Sequence, residues 1–207
     1  MTPSPSPVGP PSPGGAAPQA MDAGAIRGQL LSRLQPGAPA AEPPGVRALI
    51  EALEAARPAD LDRDRALLAG VWELRWSSSS LPYLAVAPWL ENLQLLDPER
   101  GRGMNLLRLA GPLGPLAGIA VQAELTLVPA PQGQPAQRVG VRFARGGWLG
   151  PQLGDRRLQL LRQVNQSFPA WLDITVLDEE LRVCRGNAGT LFALLRRRDL
   201  RLQDLLP

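Results

Sequence analysis

WLDITVLDEELRVCRGNAGTLFALLRR, residues 171–197, is the stretch whose reading decides the fold. Residues 171–177 are rich in β-branched and aromatic side chains and read as a strand. Asp178, Glu179 and Glu180 form a polar connection, and residues 181–185 return as the next strand. Gly186-Asn187-Ala188-Gly189 is a second turn, with residues suited to positive φ. Residues 190–196 close the series. Three antiparallel strands in succession predict an all-β region rather than alternating helices and strands.

Working upstream, the same punctuation recurs. Residues 71–77, 91–96, 104–109, 119–128 and 138–144 read as strands. Asp97-Pro98-Glu99-Arg100-Gly101 makes one hairpin, and residues 129–135 make another. Val121, Ala123, Leu125 and Leu127 share one face, against Gln122, Glu124 and Thr126 on the other. Val139, Val141 and Phe143 repeat the pattern against Arg138 and Arg142, and Glu124 is placed to pair with Arg142 across the strands. Eight strands with one apolar and one wet face predict an up-and-down antiparallel barrel, which removes sheet edges and can enclose a small ligand. Residues 158–164 read as a short helix crossing a barrel end.

The N-terminal part is different. Residues 1–20 are Pro, Ser, Gly and Ala and predict a disordered tail. Residues 21–66 predict a helical cap. Ile26, Leu30, Leu31 and Leu34 recur at helical spacing behind Asp22 as N-cap, and Pro36-Gly37 stops that helix. Val46, Leu49, Ile50 and Leu53 give a second stripe between Pro43-Pro44-Gly45 and Pro58. Each helix is too short to stand alone, so its stripe must pack on something: a barrel end, or a membrane surface. The barrel domain is expected over 67–200, with a short tail over 201–207.

Two blocks resemble one known family. The string LDxxLRVxRGxxGxLFxLxR, carried by Asp178, Arg182, Arg185, Gly186 and Gly189 with Asp173 before them, resembles the closing signature of the plastid lipid-associated proteins, also called fibrillins or plastoglobulins. The run LAGVWELRWSSS, with Gly70, Trp72 and Trp76, resembles the family's opening strand, with Trp76 where Tyr is usual. The resemblance implies a lipocalin-like barrel associated with lipids or isoprenoids, in a cytoplasmic location peripheral to thylakoid membranes or in a plastid compartment. A cyanobacterial-type member would account for a short chain whose N-terminus reads as neither a secretory signal nor a transit peptide.

Composition narrows the chemistry. The 207 residues include 22 basic side chains, every one of them Arg, and no His. The Arg bias fits either genomic base composition or phosphate pairing. Without His, the Ser–His and Cys–His nucleophile systems are excluded. The single Cys184 excludes an intramolecular disulfide, and no Cys/His set could bind zinc. We therefore expect no catalytic residues, no metal and no cofactor. The Arg196–Arg198 cluster with Arg201 suits anionic lipid or a solvated tail, and the absence of aromatic interleaving speaks against nucleic acid.

Candidate ligand-contacting residues are Trp72, Trp76, Leu125, Phe143, Trp171 and Phe192, large apolar side chains of the kind that wall a lipid pocket. Trp72 and Trp76 stand four apart in one strand and so should share a face. Candidate membrane contacts are Tyr83, Trp89, Leu113, Leu116, Trp148 and Leu149, on three apolar loops over 81–90, 110–118 and 146–151. Arg182 and Arg185, three apart, should face opposite sides, one of them turning inward to pair with Asp173. Such a pair would either lock the barrel or orient a polar ligand head. The expected function is binding or shielding of a hydrophobic small molecule (lipid, quinone or carotenoid). A lipid-body or thylakoid scaffold, or a protein-interaction module, without an internal ligand is the alternative.

Overall fold

A computed structural model describes residues 22–37, 43–84, 86–154, 156–166 and 169–206. The expected tail over 1–20 lies outside the described residues. Among the described residues nine strands carry the fold: β1 (Gly70–Ser77), β2 (Leu90–Asp97), β3 (Arg102–Leu109), β4 (Gly118–Leu127), β5 (Arg138–Leu153), β6 (Arg156–Gln163), β7 (Ala170–Leu177), β8 (Leu181–Gly186) and β9 (Leu191–Arg196). Eight of them close an antiparallel barrel in the order β1-β2-β3-β4-β5-β7-β8-β9 and back to β1.

The closure is uneven. β5 is 16 residues long and has two partners on one edge. Its first residues, Arg138–Val141, pair with β7. Its second half, from Arg145 onward, pairs with β6 instead. β6 has no pairing on its other edge among the described residues. The barrel is therefore sealed in its lower half and opens above into a trough walled by β3, β4, β5 and β6.

Residues 158–164 were expected to be helical; residues 156–163 are strand β6. Leu158 and Leu160 alternate with Gln159, a period of two, and β5 offers a free edge to pair with. Residues 146–151 likewise belong to β5 rather than to a loop.

Among the described residues four α-helices accompany the strands: α1 (Ala23–Leu34), α2 (Pro43–Ala56), α3 (Leu61–Leu68) and α4 (Leu202–Leu205). Asp22 caps α1 by accepting from the Gly24 amide. The apolar stripes of α1 and α2 pack together on the outer wall, against Val176, Leu181, Val183, Leu191, Ala193 and Leu195. This pair covers a flank. It is α3 that covers an end. Leu61 and Leu68 join the lumen cluster with Ala59 and Ala136. The Ala59–Leu61 segment is tied there by Ala59 N donating to Thr175 O and Leu61 N to Ala136 O. The outer face of β1 to β5 is buried by Leu205 and Leu206 at the C-terminal helix.

Candidate functional site

Strand alternation sorts the side chains into lumen and wall, and bulges reset the count. In β1 the register with β9 shifts between Leu74 and Trp76. Trp72 and Leu74 thus face the lumen, whereas Trp76 turns outward and packs with the α1–α2 cluster. The expected shared face of the two tryptophans is lost to that one extra residue. A second bulge, between Ile174 and Val176, sends Ile174 inward and Val176 outward.

Leu125, Phe192 and Leu172 join Trp72 in the lumen cluster. Phe143 pairs with Ala123, two residues from Leu125, and so also faces inward. Trp171 does not. It shares the outer face with Asp173, under the Arg138 guanidinium at 3.8 Å from the ring centroid. Of the six candidate ligand contacts, four line the lumen and two lie on the outer wall.

At the floor, Trp72 is fully buried and its indole N–H donates to Leu68 O at 3.0 Å. The Arg196 guanidinium lies over the ring at 4.3 Å and Arg182 at 5.2 Å. Arg196 is satisfied by backbone carbonyls, with Nη1 on Ala69 O at 2.7 Å and Nε on Glu179 O at 2.7 Å. Gly70 makes this approach possible: its φ is +138°, and a Cβ there would overlap Arg196 Nη1. Arg182 reaches across the lumen and donates from Nη2 to Gln94 Oε1. Burial lowers the Arg182 guanidinium to about 10, so it stays charged at neutral pH. Beside it, burial pushes the Cys184 thiol up to about 11.

The expected Asp173 partnership is replaced. Asp173 faces outward and pairs with Arg138 at 2.7 Å. Arg185 also faces outward and binds Glu54 of α2. Asp178 caps its turn, accepting from the Glu180 and Leu181 amides at 2.8 Å, and takes Arg27 of α1 at 2.6 Å. Burial alone would raise its carboxyl, but Arg27 and the two amides hold it below the usual range. Gly186 ends β8 and Gly189 sits in the turn at φ +75°. The signature residues thus bolt the helices and turns to the barrel, with Arg182 as the exception.

Above the floor the inner face opens. Cross-strand pairing aligns Asn92, Leu107, Ile119, Trp148 and Leu160 in one row. Ile119 is 62% exposed, Trp148 41% and Leu160 63%. Val164 reaches the same face, close to Val121 over Gly146. The Trp148 ring lies across Gly150, where a Cβ would collide with it. Leu149, its neighbour, points the other way and is buried in the outer cluster, not at a membrane-facing position.

The two remaining loops flank this trough. Trp89 is 64% exposed. Its carbonyl accepts from Ala110 N at 2.9 Å, which ties its loop to the short 3-10 turn Gly111–Leu116. Leu113 and Leu116 are exposed on that turn. The side chain of Tyr83 lies outside the described residues. A groove of about 710 Å³ runs outside the mouth, between the end of α1 and the start of β2. Trp76, Val86 and Pro88 wall it, over a floor of Glu73, Arg75, Glu91 and Arg197. Those ions satisfy one another, and Glu91 also takes Arg108 at 2.7 Å.

Ile119, Leu160, Gln94 and Asn105 were not among the expected site residues. Ile119 carried a signal, the two-residue alternation of its strand, whereas the spacing around Leu160 suits a helix as well. Gln94 and Asn105 carried none, since polar residues on an inner face look like outward ones until the register is known.

The family model PAP_fibrillin matches residues 37–195. The chain belongs to this family of plastid lipid-associated proteins. The match takes in both resemblance blocks and every strand of the barrel, save the last residue of the closing block and of β9, Arg196. No curated protein and no solved structure matches the chain. Among the described residues, no helix is long and apolar enough to cross a membrane, and no group of His, Cys, Asp or Glu could hold a metal ion.

Proposed function

We propose that this PAP_fibrillin member holds or shields a hydrophobic small molecule, a lipid, quinone or carotenoid, at or near photosynthetic membranes, without catalysing a reaction on it. The observation that carries this reading is the exposed apolar inner face of Ile119, Trp148 and Leu160, continuous with the lumen. A folded chain leaves such a surface open at a cost that a partner can recover. Burying it against an apolar ligand stabilises by roughly 25 cal/mol per Å². Without His in the chain, no Ser–His or Cys–His pair is available to drive a reaction.

Membrane contact belongs to the same reading. Trp89, Leu113 and Leu116 project beside the trough, and Trp at an apolar rim suits the headgroup level. Flotation with liposomes of thylakoid-type galactolipid composition tests it. Trp89→Ser with Trp148→Ser should reduce co-flotation several-fold, and undiminished flotation would remove membrane contact. Native mass spectrometry of protein purified from its own host tests the cargo: a bound lipid or pigment mass is expected.

A scaffold without internal cargo is the second reading. It is favoured by the lower half of the barrel, where Trp72, Leu74, Ile174, Cys184 and Leu194 fill the space. Host-purified protein that carries no small molecule yet still floats with liposomes would select it.

A further inference from the structure

Arg182 is wholly buried, and two of its nitrogens, Nε and Nη1, donate to nothing. Its only hydrogen-bond partner among the described residues is a neutral amide, Gln94 Oε1. Arg157 of β6 also buries one unpartnered nitrogen, Nε, but it lies outside the eight barrel strands, and other buried ions on the barrel are matched. Glu91 sits between Arg108 and Arg197, and Asp178 is held by Arg27. Arg196, the second cation at the floor, donates to backbone carbonyls from Nε and Nη1. Alternation places no Asp or Glu on the inner face of the eight described barrel strands. The lumen is thus apolar above, amide-lined by Gln94 and Asn105 midway, and purely positive at its floor. A buried cation without a counter-charge is costly, and a half-satisfied guanidinium more so. An anion entering from the trough relieves both.

We infer that the cargo is a long-chain carboxylate whose head group seats on Arg182, taking the place of the Gln94 amide oxygen. This rests on the reading that the trough holds a ligand. Each edge of the guanidinium already has one idle N–H beside Nη2. A carboxylate that displaces Gln94 therefore gains two parallel charge-assisted bonds where the amide makes one. Gln94 is itself only half-buried, so its side chain has room to swing aside. The acyl chain then runs from the floor past Val121 to Ile119 and Trp148, along the face left open to water. A small planar head fits a floor where Trp72 and Arg182 are fully enclosed better than a bulky phosphodiester does.

The test is displacement of a fluorescent fatty-acid analogue from the full-length protein by oleate, methyl oleate and oleyl phosphate. Oleate is expected to compete about tenfold or more tightly than its methyl ester, because a charge-assisted pair is lost on esterification. Arg182→Met should abolish that preference while still binding the ester, and Gln94→Ala, which removes the internal competitor, should tighten oleate. Equal competition by oleate and methyl oleate in the unmodified protein would overturn the head-group site and leave the trough intact as a binding surface. Tighter competition by oleyl phosphate would overturn the choice of a carboxylate. No binding of any of the probes, the fluorescent analogue included, would sink the cargo reading itself. Should Arg182→Met not fold, the acid-to-ester comparison on the unmodified chain and the Gln94→Ala variant decide the matter alone.

Discussion

Arg182 and Arg185 show how far one side chain can be read from its neighbours. Their spacing of three places them on opposite sides of β8, and they are. Their partners were not legible, because Asp173 faces outward and meets Arg138, a residue 35 positions earlier. The two arginines also differ in what they contribute. Arg185 ties α2 to the wall through Glu54, whereas Arg182 spends stability at the floor. Replacing it with Met should raise the Tm of the ligand-free protein by a few degrees, read by calorimetry, since relief of burying an uncompensated cation outweighs the loss of the Gln94 hydrogen bond and one distant ring contact. Asp178 is the opposite case. It accepts two backbone amides and both nitrogens of one Arg27 edge. Asp178→Ala should lose about 2–4 kcal/mol in urea unfolding. Cys184, fully buried with its thiol pushed up to about 11, should not react with thiol reagents at pH 8 until the protein unfolds.

At the scale of elements, most strands were legible because polar and apolar residues alternate and Gly/Pro turns separate them. β4 and the first half of β5 are clear examples. What failed was the count across bulges. One unpaired residue at Arg75 moves Trp76 from lumen to wall, and nothing in GVWELRWS marks it. β6 was hidden for another reason: its leucines at 158, 161 and 160 satisfy a helical spacing as well as a strand one, and only β5's spare edge decides between them. The trough, which depends on that strand, was therefore out of reach, although the apolar loops beside it were not. Gly150 shows how tightly this region is built. Gly150→Ala puts a methyl group into the Trp148 ring and must push the indole out. We expect a loss of roughly 1–3 kcal/mol, a red-shifted fluorescence contribution and weaker binding of the fatty-acid analogue.

Charge governs the behaviour of the whole molecule toward acid. Glu91 and Asp97 are, like Asp178, held below the usual carboxylate range, burial raising each and arginine hydrogen bonds outweighing it. A lowered folded-state value stabilises the fold while the group is ionised. That contribution is complete above the unfolded-state value of about 4 and fades as pH falls through it toward the folded-state values. With no His in the chain, no side chain of ordinary pKa changes charge between pH 5 and 8. Thermal unfolding should therefore be flat from about pH 8 to 5 and drop steeply below about pH 4.5.

The handover of β5 from β7 to β6 has a further effect on what can be carried. A fully closed cylinder must be threaded end-on, and its depth caps the length of its guest. Here the upper wall stops at an edge, so a long tail can be laid in from the side and overhang the rim without penalty. Affinity should climb by roughly 0.8 kcal/mol per added methylene until the trough is full. Beyond that it should level off rather than collapse, making the protein tolerant of tail length and selective only for the group that leads the way in.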